Sequence, residues 1–331
     1  MELHIANKNE ISLQKLIAFN AKIYPEKKIP AEDYLKFWFS KSEDELAQGV
    51  YLVDGNGEIH GQILTSGMSY YYKGSVIDTV WLYDLIVEEV LRKDSWGVDV
   101  IVSCFDKHPA SCSTGSGPDA LKLHLKLGNK QLAEIRKYVG VANPLWIATS
   151  VFRGNITVNK FPQQVNVDGH TFVKTKKENL PELKKPYNEN MWEPARDSSY
   201  LQWRFFNDLH EYAFYKDNQS EDYFVVRTII QSHVTAMLLV DYRCDATGKK
   251  CFERIYKAVS KVMSKLHLAV LITGSTLATI DSVLEGHHFK SVGRPRPVIG
   301  FLKVKDRKTD IDDRNFAFVT LADSDGETNW L

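Results

Sequence analysis

The apolar positions of this chain follow two rhythms, and their order predicts alternating helices and strands. Leu13, Leu16 and Ile17 share one helical face, and Tyr34, Leu35, Trp38 and Phe39 mark a second helix. Val50–Val53 and Ile59–Thr65 are strand-like runs joined by Asp54-Gly55-Asn56-Gly57, whose two Asx-Gly pairs are a strong hairpin signal. Val76–Val87 is a long apolar run, followed by polar residues and a helical pattern through Val98, Ile101 and Phe105. Ser111–Gly117 reads as the end of a small-residue strand and its loop. Pro118 suits the first turn of a helix that runs through Ala120, Leu123 and Leu127 and is closed by Gly128.

Between Phe152 and Pro194 the pattern weakens into a proline-containing connector with short strands. Order returns at Asp197. Tyr223–Ile230 and Thr235–Tyr242 look like paired strands, and Phe252, Ile255, Val259, Val262, Met263 and Leu266 mark a strong helix. Leu268–Thr273 is a buried strand, Leu277, Ile280 and Leu284 a further helix, and Val298–Val304 a final strand. Both halves share the order hairpin, long helix, short buried strand, helix, strand. This predicts an α+β fold of two similar domains, each a mixed, mostly antiparallel sheet flanked by helices. The boundaries drawn are a first domain at 1–150, a connector at 151–196, a second domain at 197–305 and a C-terminal tail at 306–331.

Composition narrows the class. The 331 residues are enough for two cores, and 44% apolar with 25% charged is ordinary for a globular chain. Lys+Arg and Asp+Glu both number 42, so no whole-surface attraction to nucleic acid or anionic membrane is expected. The N-terminal residues lack a signal-peptide apolar core, and no stretch approaches the roughly 18 apolar residues of a membrane span. Cys104, Cys112, Cys244 and Cys251 form no C-x-x-C pair and read as buried small residues in a reducing, cytoplasmic setting. The histidines, including His287-His288, show no metal-ligand spacing, so no metal is expected.

The most informative segment is the apolar run Val80–Val87 followed by Arg92-Lys93-Asp94-Ser95-Trp96-Gly97-Val98. A strand that feeds a short cationic loop and then a helix aims several backbone N–H groups at one point, where the helix dipole also favours an anion. The guest that fits is a phosphate or pyrophosphate. Asp84 is an isolated carboxylate inside the apolar run, costly there unless paired or facing a cleft.

Two patterns here resemble the GNAT acyl-CoA N-acyltransferases. Arg92-x-x-Ser95-x-Gly97 is similar to the family's pyrophosphate loop Arg/Gln-x-x-Gly-x-Gly/Ala, with Ser in place of the first Gly. Ala120-x-x-Leu123-His124-x-x-Leu127-Gly128-Asn129 follows the family's helix end beside the thioester, with His for Tyr and Asn for Phe. The resemblance covers about residues 1–145, with a weaker version over 197–305. It implies acetyl-CoA as co-substrate, gripped by Arg92, Lys93 and the amides around Ser95, Trp96, Gly97 and Val98. The thioester carbonyl would lie near a backbone N–H of Leu85, Ile86 or Val87. It also implies Asp84 as general base through water, and His124 as the group that protonates the leaving thiolate. The bland readings stay open beside these: a capped helix start, a carboxylate accepting backbone hydrogen bonds, and a half-buried histidine. If Ser95 must adopt positive φ, it costs on the order of 1 kcal/mol relative to glycine. Asp94 and Trp96 are the other departures, one for its charge and one for its bulk.

In the second half, Asp197 is a plausible N-cap for Tyr200-Leu201-Gln202-Trp203-Arg204, which resembles a segment of double-domain GNAT-like proteins of bacterial polysaccharide loci. Trp203 and Arg204 could hold a sugar or an anionic group, or serve the core. Arg243-Cys244-Asp245-Ala246-Thr247-Gly248 does not keep the loop frame, so the second domain is expected to lack a coenzyme A site. The leading expectation is acetyl transfer to a small-molecule amine, with an amino sugar or nucleotide sugar as the class that the resemblance implies. Its rivals are a non-catalytic GNAT-like scaffold with a decayed loop, and aminoacyl transfer from tRNA on a related double-domain fold.

Overall fold

The computed structural model describes residues 3–27, 29–39, 49–108, 110–151, 153–183, 186, 188–244, 248–302 and 316–324. In chain order the first elements are β1 (Leu3–Asn7), α1 (Leu13–Ile23), α2 (Ala31–Phe39), β2 (Gly49–Asp54), β3 (Ile59–Tyr72), β4 (Ser75–Val87), α3 (Trp96–Lys107), β5 (Ala110–Thr114) and α4 (Pro118–Lys126). There follow β6 (Lys130–Val141), α5 (Ile147–Ser150), β7 (Gln164–Val167), β8 (His170–Lys174), β9 (Glu193–Pro194), α6 (Ser198–Phe205), β10 (Ala213–Asp217) and β11 (Tyr223–Gln231). The last are β12 (Val234–Arg243), α7 (Lys249–Lys265), β13 (Val270–Ser275), α8 (Ala278–Gly286), β14 (Lys290–Ser291) and β15 (Arg296–Leu302). No helix among the described residues is long and apolar enough to cross a membrane.

The chain divides into two compact units, and neither is a single run of sequence. The first holds Met1–Tyr70, Val76–Leu132 and Pro297–Asp312; the second holds Tyr71–Ser75, Ala133–Arg296 and Asp313–Leu331. In the first unit the strand order is β1-β2-β3-β4-β5-β15. β1, β2 and β3 pair antiparallel, β4 and β5 are parallel, and β15 pairs antiparallel with β5 from Val298↔Thr114 to Leu302↔Ala110. The Asx-Gly junction turns as its residues dictate: Asp54 Oδ1 accepts the amides of Asn56 and Glu58, each at 2.9 Å. α3 buries Val100, Ile101, Cys104 and Phe105 against Val80, Leu82 and Val87 of β4.

In the second unit the order is β6-β13-β12-β11-β10-β8-β7, antiparallel except for the β12/β13 pair. α7 places Ile255, Val259, Val262 and Met263 in its core cluster, spacings that keep one helical face toward the sheet. Both units are thus mostly antiparallel sheets flanked by helices, an α+β layout. Asp197 caps α6 as its sequence position suggests, accepting the Tyr200 amide at 2.7 Å. The four cysteines are buried and free of disulfides. The strand expected at Val298–Val304 begins two residues earlier at Arg296, and its positions 303–304 lie outside the described residues. So do 306–315 and 325–331 of the tail, and 245–247 of the junction before α7.

Candidate functional site

The site begins with a slip in β4. Val80 and Leu82 face the core of the first unit, and so do Leu85 and Val87, so one extra residue is inserted into the alternation between them. The residue that absorbs the slip is Asp84, whose φ of +48° is left-handed. An L-residue held there in mid-strand makes a bulge that re-aims the side chains after it. Gly61 of β3 permits the close approach at this point. A Cβ on it would lie 3.1 Å from Val87 Cγ2 and 3.2 Å from the Ile86 carbonyl oxygen.

The bulge opens the sheet. β4 and β5 pair only at Val80↔Ser111 and Trp81↔Cys112, and beyond Trp81 no backbone pairing joins them among the described residues. α3 starts just past the open end of β4. Leu85 and Trp96 are packed against the core, with Trp96 half-buried. A 3-10 turn at Glu89–Asp94 leads to Ser95, whose φ of +66° and ψ of 1° are left-handed. Ser95 therefore sits where the glycine of the family pattern relieves strain, at a cost of about 1–2 kcal/mol.

The Ser95 carbonyl accepts the amides of Val98 at 2.8 Å and Asp99 at 3.3 Å. This leaves the Trp96 and Gly97 amides of the first helical turn without an acceptor among the described residues. Arg92 Nε donates to the Val87 carbonyl at 3.0 Å, which ties the loop to the end of β4. Arg92, Lys93, Asp94 and Ser95 are exposed, and a Cβ on Gly97 would meet Leu123 Cδ2 at 3.8 Å and Val87 Cγ2 at 3.9 Å, ordinary contact distances. Two amides at a positive helix end, with two exposed cations beside them, can take a phosphate.

The Asp84 carboxylate is not free. Lys27 Nζ lies 3.1 Å from Oδ2 and 3.4 Å from Oδ1, with the Asp84 side chain 6% exposed. Lys27 is sandwiched by Tyr24 and Tyr34, its Nζ 4.1 and 3.9 Å from their ring centroids. Behind the bulge, buried Asn20 of α1 and Gln62 of β3 exchange hydrogen bonds at 3.0 and 3.1 Å, and Gln62 also donates to the Asp84 carbonyl at 3.4 Å. Sequence reasoning missed Lys27, Asn20 and Gln62. Gln62, polar within the apolar run Ile59–Thr65, carried a readable signal; Lys27, in a polar loop, did not.

His124 lies in α4, 2% exposed, with its ring 6.3 Å from that of Phe105. Burial pulls its pKa down to about 4, so the imidazole is neutral at pH 7. Its Nδ1 has no hydrogen-bond partner among the described residues. The ring is thus a core group, with no imidazolium proton to give at neutral pH.

The second unit has a wedge of its own, and it is filled. β12 and β13 pair in parallel only from Ala236↔Val270 to Leu238↔Ile272, and β12 is bulged opposite Val225/Val226. Into this opening comes the segment 316–324. Thr276 Oγ1 donates to the Ala317 carbonyl at 2.5 Å and accepts the Val319 amide at 3.2 Å. Fully buried Arg196 bridges Asp241 at 3.1 Å and Asp323 at 2.6 Å, while Tyr223 and Tyr200 donate to the same carboxylates. Leu321 packs so closely that a Cβ on Gly274 would lie 2.6 Å from its Cδ2. Arg204 belongs to this packing too. It is 0% exposed and donates to the Ala322 carbonyl at 3.0 Å and toward the Tyr212 hydroxyl at 3.2 Å. Its guanidinium is therefore committed inside the unit, not offered to a ligand. Trp203, half-buried, lies 6.0 Å from the Tyr200 ring.

No protein-family model matches the sequence, and no curated protein matches it. Solved structures do. A GCN5-related N-acetyltransferase from Anabaena variabilis ATCC 29413 superposes with a TM-score of 0.60 at 9% identity, over 91% of this chain and 73% of that one. A conserved protein from Enterococcus faecalis V583, described as a probable N-acyltransferase, gives 0.61 at 9% identity, over 92% and 73%. The N-myristoyltransferase of Saccharomyces cerevisiae, solved with bound myristoyl-CoA, gives 0.54 at 14% identity, over 90% and 82%. At these identities the likeness is one of fold. The chain has the GNAT fold over about nine-tenths of its length.

Proposed function

We propose that this protein is an acyl-CoA-dependent N-acyltransferase with one cofactor site, in its first unit. The observation that carries the reading is the opened β4/β5 wedge ending at the unpartnered Trp96 and Gly97 amides. That arrangement offers a thioester an extended slot and a pyrophosphate a helix N-terminus. Arg92 and Lys93 supply counter-charge beside these amides. Fold neighbours that are N-acyltransferases support the chemistry; acetyl is the smallest group consistent with it.

The chain's own groups then divide the work. Past the last β4/β5 pair at Trp81, a backbone N–H at Leu85–Val87 stabilises the oxyanion that forms when an amine attacks the thioester. Asp84, the residue before that stretch, takes the proton from the incoming ammonium directly or through water. His124, buried and neutral, is not needed as the acid; water protonates the departing thiolate. The acceptor is a small-molecule amine, with amino sugars and nucleotide sugars the first class to try. The filled wedge of the second unit supports a single site per chain. The test is thiol release from acetyl-CoA and from a longer acyl-CoA across a panel of amines. Amine-dependent release supports the reading, and release that no amine accelerates opposes it.

A further inference from the structure

Lys27 is an unusual lysine for its surroundings. Its side chain is 15% exposed, whereas Lys22 and Lys36 on the two flanking helices are 69% and 59% exposed. A lysine usually keeps its ammonium in water and buries only its stem. Here the ammonium itself is drawn inward, between two tyrosine rings and onto a carboxylate that is 6% exposed. That carboxylate belongs to the left-handed residue three positions past Trp81, the last residue of β4 paired with β5.

An acceptor amine in this kind of site needs a base within about 3 Å and a position beside the open edge of β4. The Lys27 Nζ meets the first requirement at 3.1 Å and holds the position that any acceptor must reach to use Asp84. We propose that Lys27 is an internal acceptor, acylated on Nζ by the acyl-CoA that the first unit binds. The inference rests on the function proposed above. In the step, Asp84 removes a proton from the Lys27 ammonium and passes it to solvent. The freed amine attacks the thioester carbonyl, an N–C bond forms, the C–S bond breaks, and the remaining surplus proton ends on the coenzyme A thiol. The product is a neutral amide. It can no longer pair with Asp84, and it leaves the acyl group where an external amine would enter.

The experiment is peptide mapping by mass spectrometry of the full chain after incubation with acetyl-CoA, with coenzyme A affinity measured on the same samples. The expected result is one acyl group on Lys27, formed ahead of every other lysine. Asp84→Asn should slow it about a hundredfold, the lower range for a positioned general base, with coenzyme A affinity kept. Lys27→Arg keeps a cation against Asp84 and should bind coenzyme A without acquiring the group. A chain that binds coenzyme A yet leaves Lys27 unmodified overturns the proposal alone, as does equal modification in Asp84→Asn. A chain that binds no coenzyme A overturns the functional reading and this proposal with it.

Discussion

Arg92 reaches back from its loop to Val87, Nε to carbonyl oxygen at 3.0 Å, so a cation of the loop that leads into α3 also fastens the end of β4. Two roles meet in one side chain. Arg92→Ala should weaken coenzyme A binding about tenfold, the size of one lost charge-assisted contact, and loosen the strand end. Arg92→Lys keeps the charge without the planar fork and should fall between the two. Titration calorimetry at low and high salt checks this, because the charge component alone shrinks as salt rises.

Ser95 offers a test with the opposite sign. Its φ of +66° is strained for a side chain with a Cβ. Ser95→Gly should stabilise the protein by about 1 kcal/mol, somewhat offset by the greater freedom of glycine in the unfolded chain. Coenzyme A affinity should hold or improve. A lower melting temperature in Ser95→Gly would mean that the hydroxyl makes a contact worth more than the strain.

Asp84→Asn separates chemistry from binding. Turnover should drop by about a hundredfold or more while coenzyme A affinity stays near wild type. Lys27 loses its charge partner in the same variant, so a loss of stability of about 3 kcal/mol is expected as well. An equal loss of cofactor affinity would make Asp84 a residue that shapes the bulge and nothing else.

His124 predicts a pH dependence of stability. Its folded pKa, about 4, lies below the ordinary value of about 6.5 because burial opposes the charged ring. The unfolded chain therefore binds the proton more readily. The stabilisation is complete above about pH 6.5 and is lost as pH falls toward 4, by about 3 kcal/mol in all. His124→Gln should flatten that part of the denaturation midpoint against pH. An unchanged slope would place the titrating group elsewhere.

Much of this is legible in the sequence, for physical reasons. The Asp54–Gly57 turn, the Pro118 helix start and the apolar face of α7 are local signals, and each element forms where its residues ask. β6 is hidden, because Glu134, Arg136 and Lys137 interrupt its apolar positions Leu132, Ile135 and Tyr138. Nor can sequence show that β15 belongs to the first unit and most of β6 to the second, since those placements are set by pairing distant in the chain. At the site, the cationic loop and Asp84 are readable; the slip from Val80 and Leu82 to Leu85 and Val87 shows only in the structure, because the run Val80–Val87 is apolar on both faces but for Asp84. The partner of Asp84 is not readable either, because Lys27 comes from a loop with no periodicity. Arg204 reads in sequence as either a ligand-facing cation or a core group, because a buried guanidinium and an exposed one look alike until their acceptors are known.

The account turns on acyl-CoA binding at one place in the chain. In the first unit the wedge is open at the Trp96 and Gly97 amides; in the second, residues 316–324 fill it and Arg196 locks Asp323 there. Calorimetric titration of the full chain with coenzyme A measures both halves of that statement at once. The predicted result is one molecule bound per chain, with binding abolished when Arg92→Glu is combined with Gly97→Trp in a variant that keeps its melting transition. Two equivalent sites per chain, binding that survives the double variant, or no binding at millimolar ligand would contradict it.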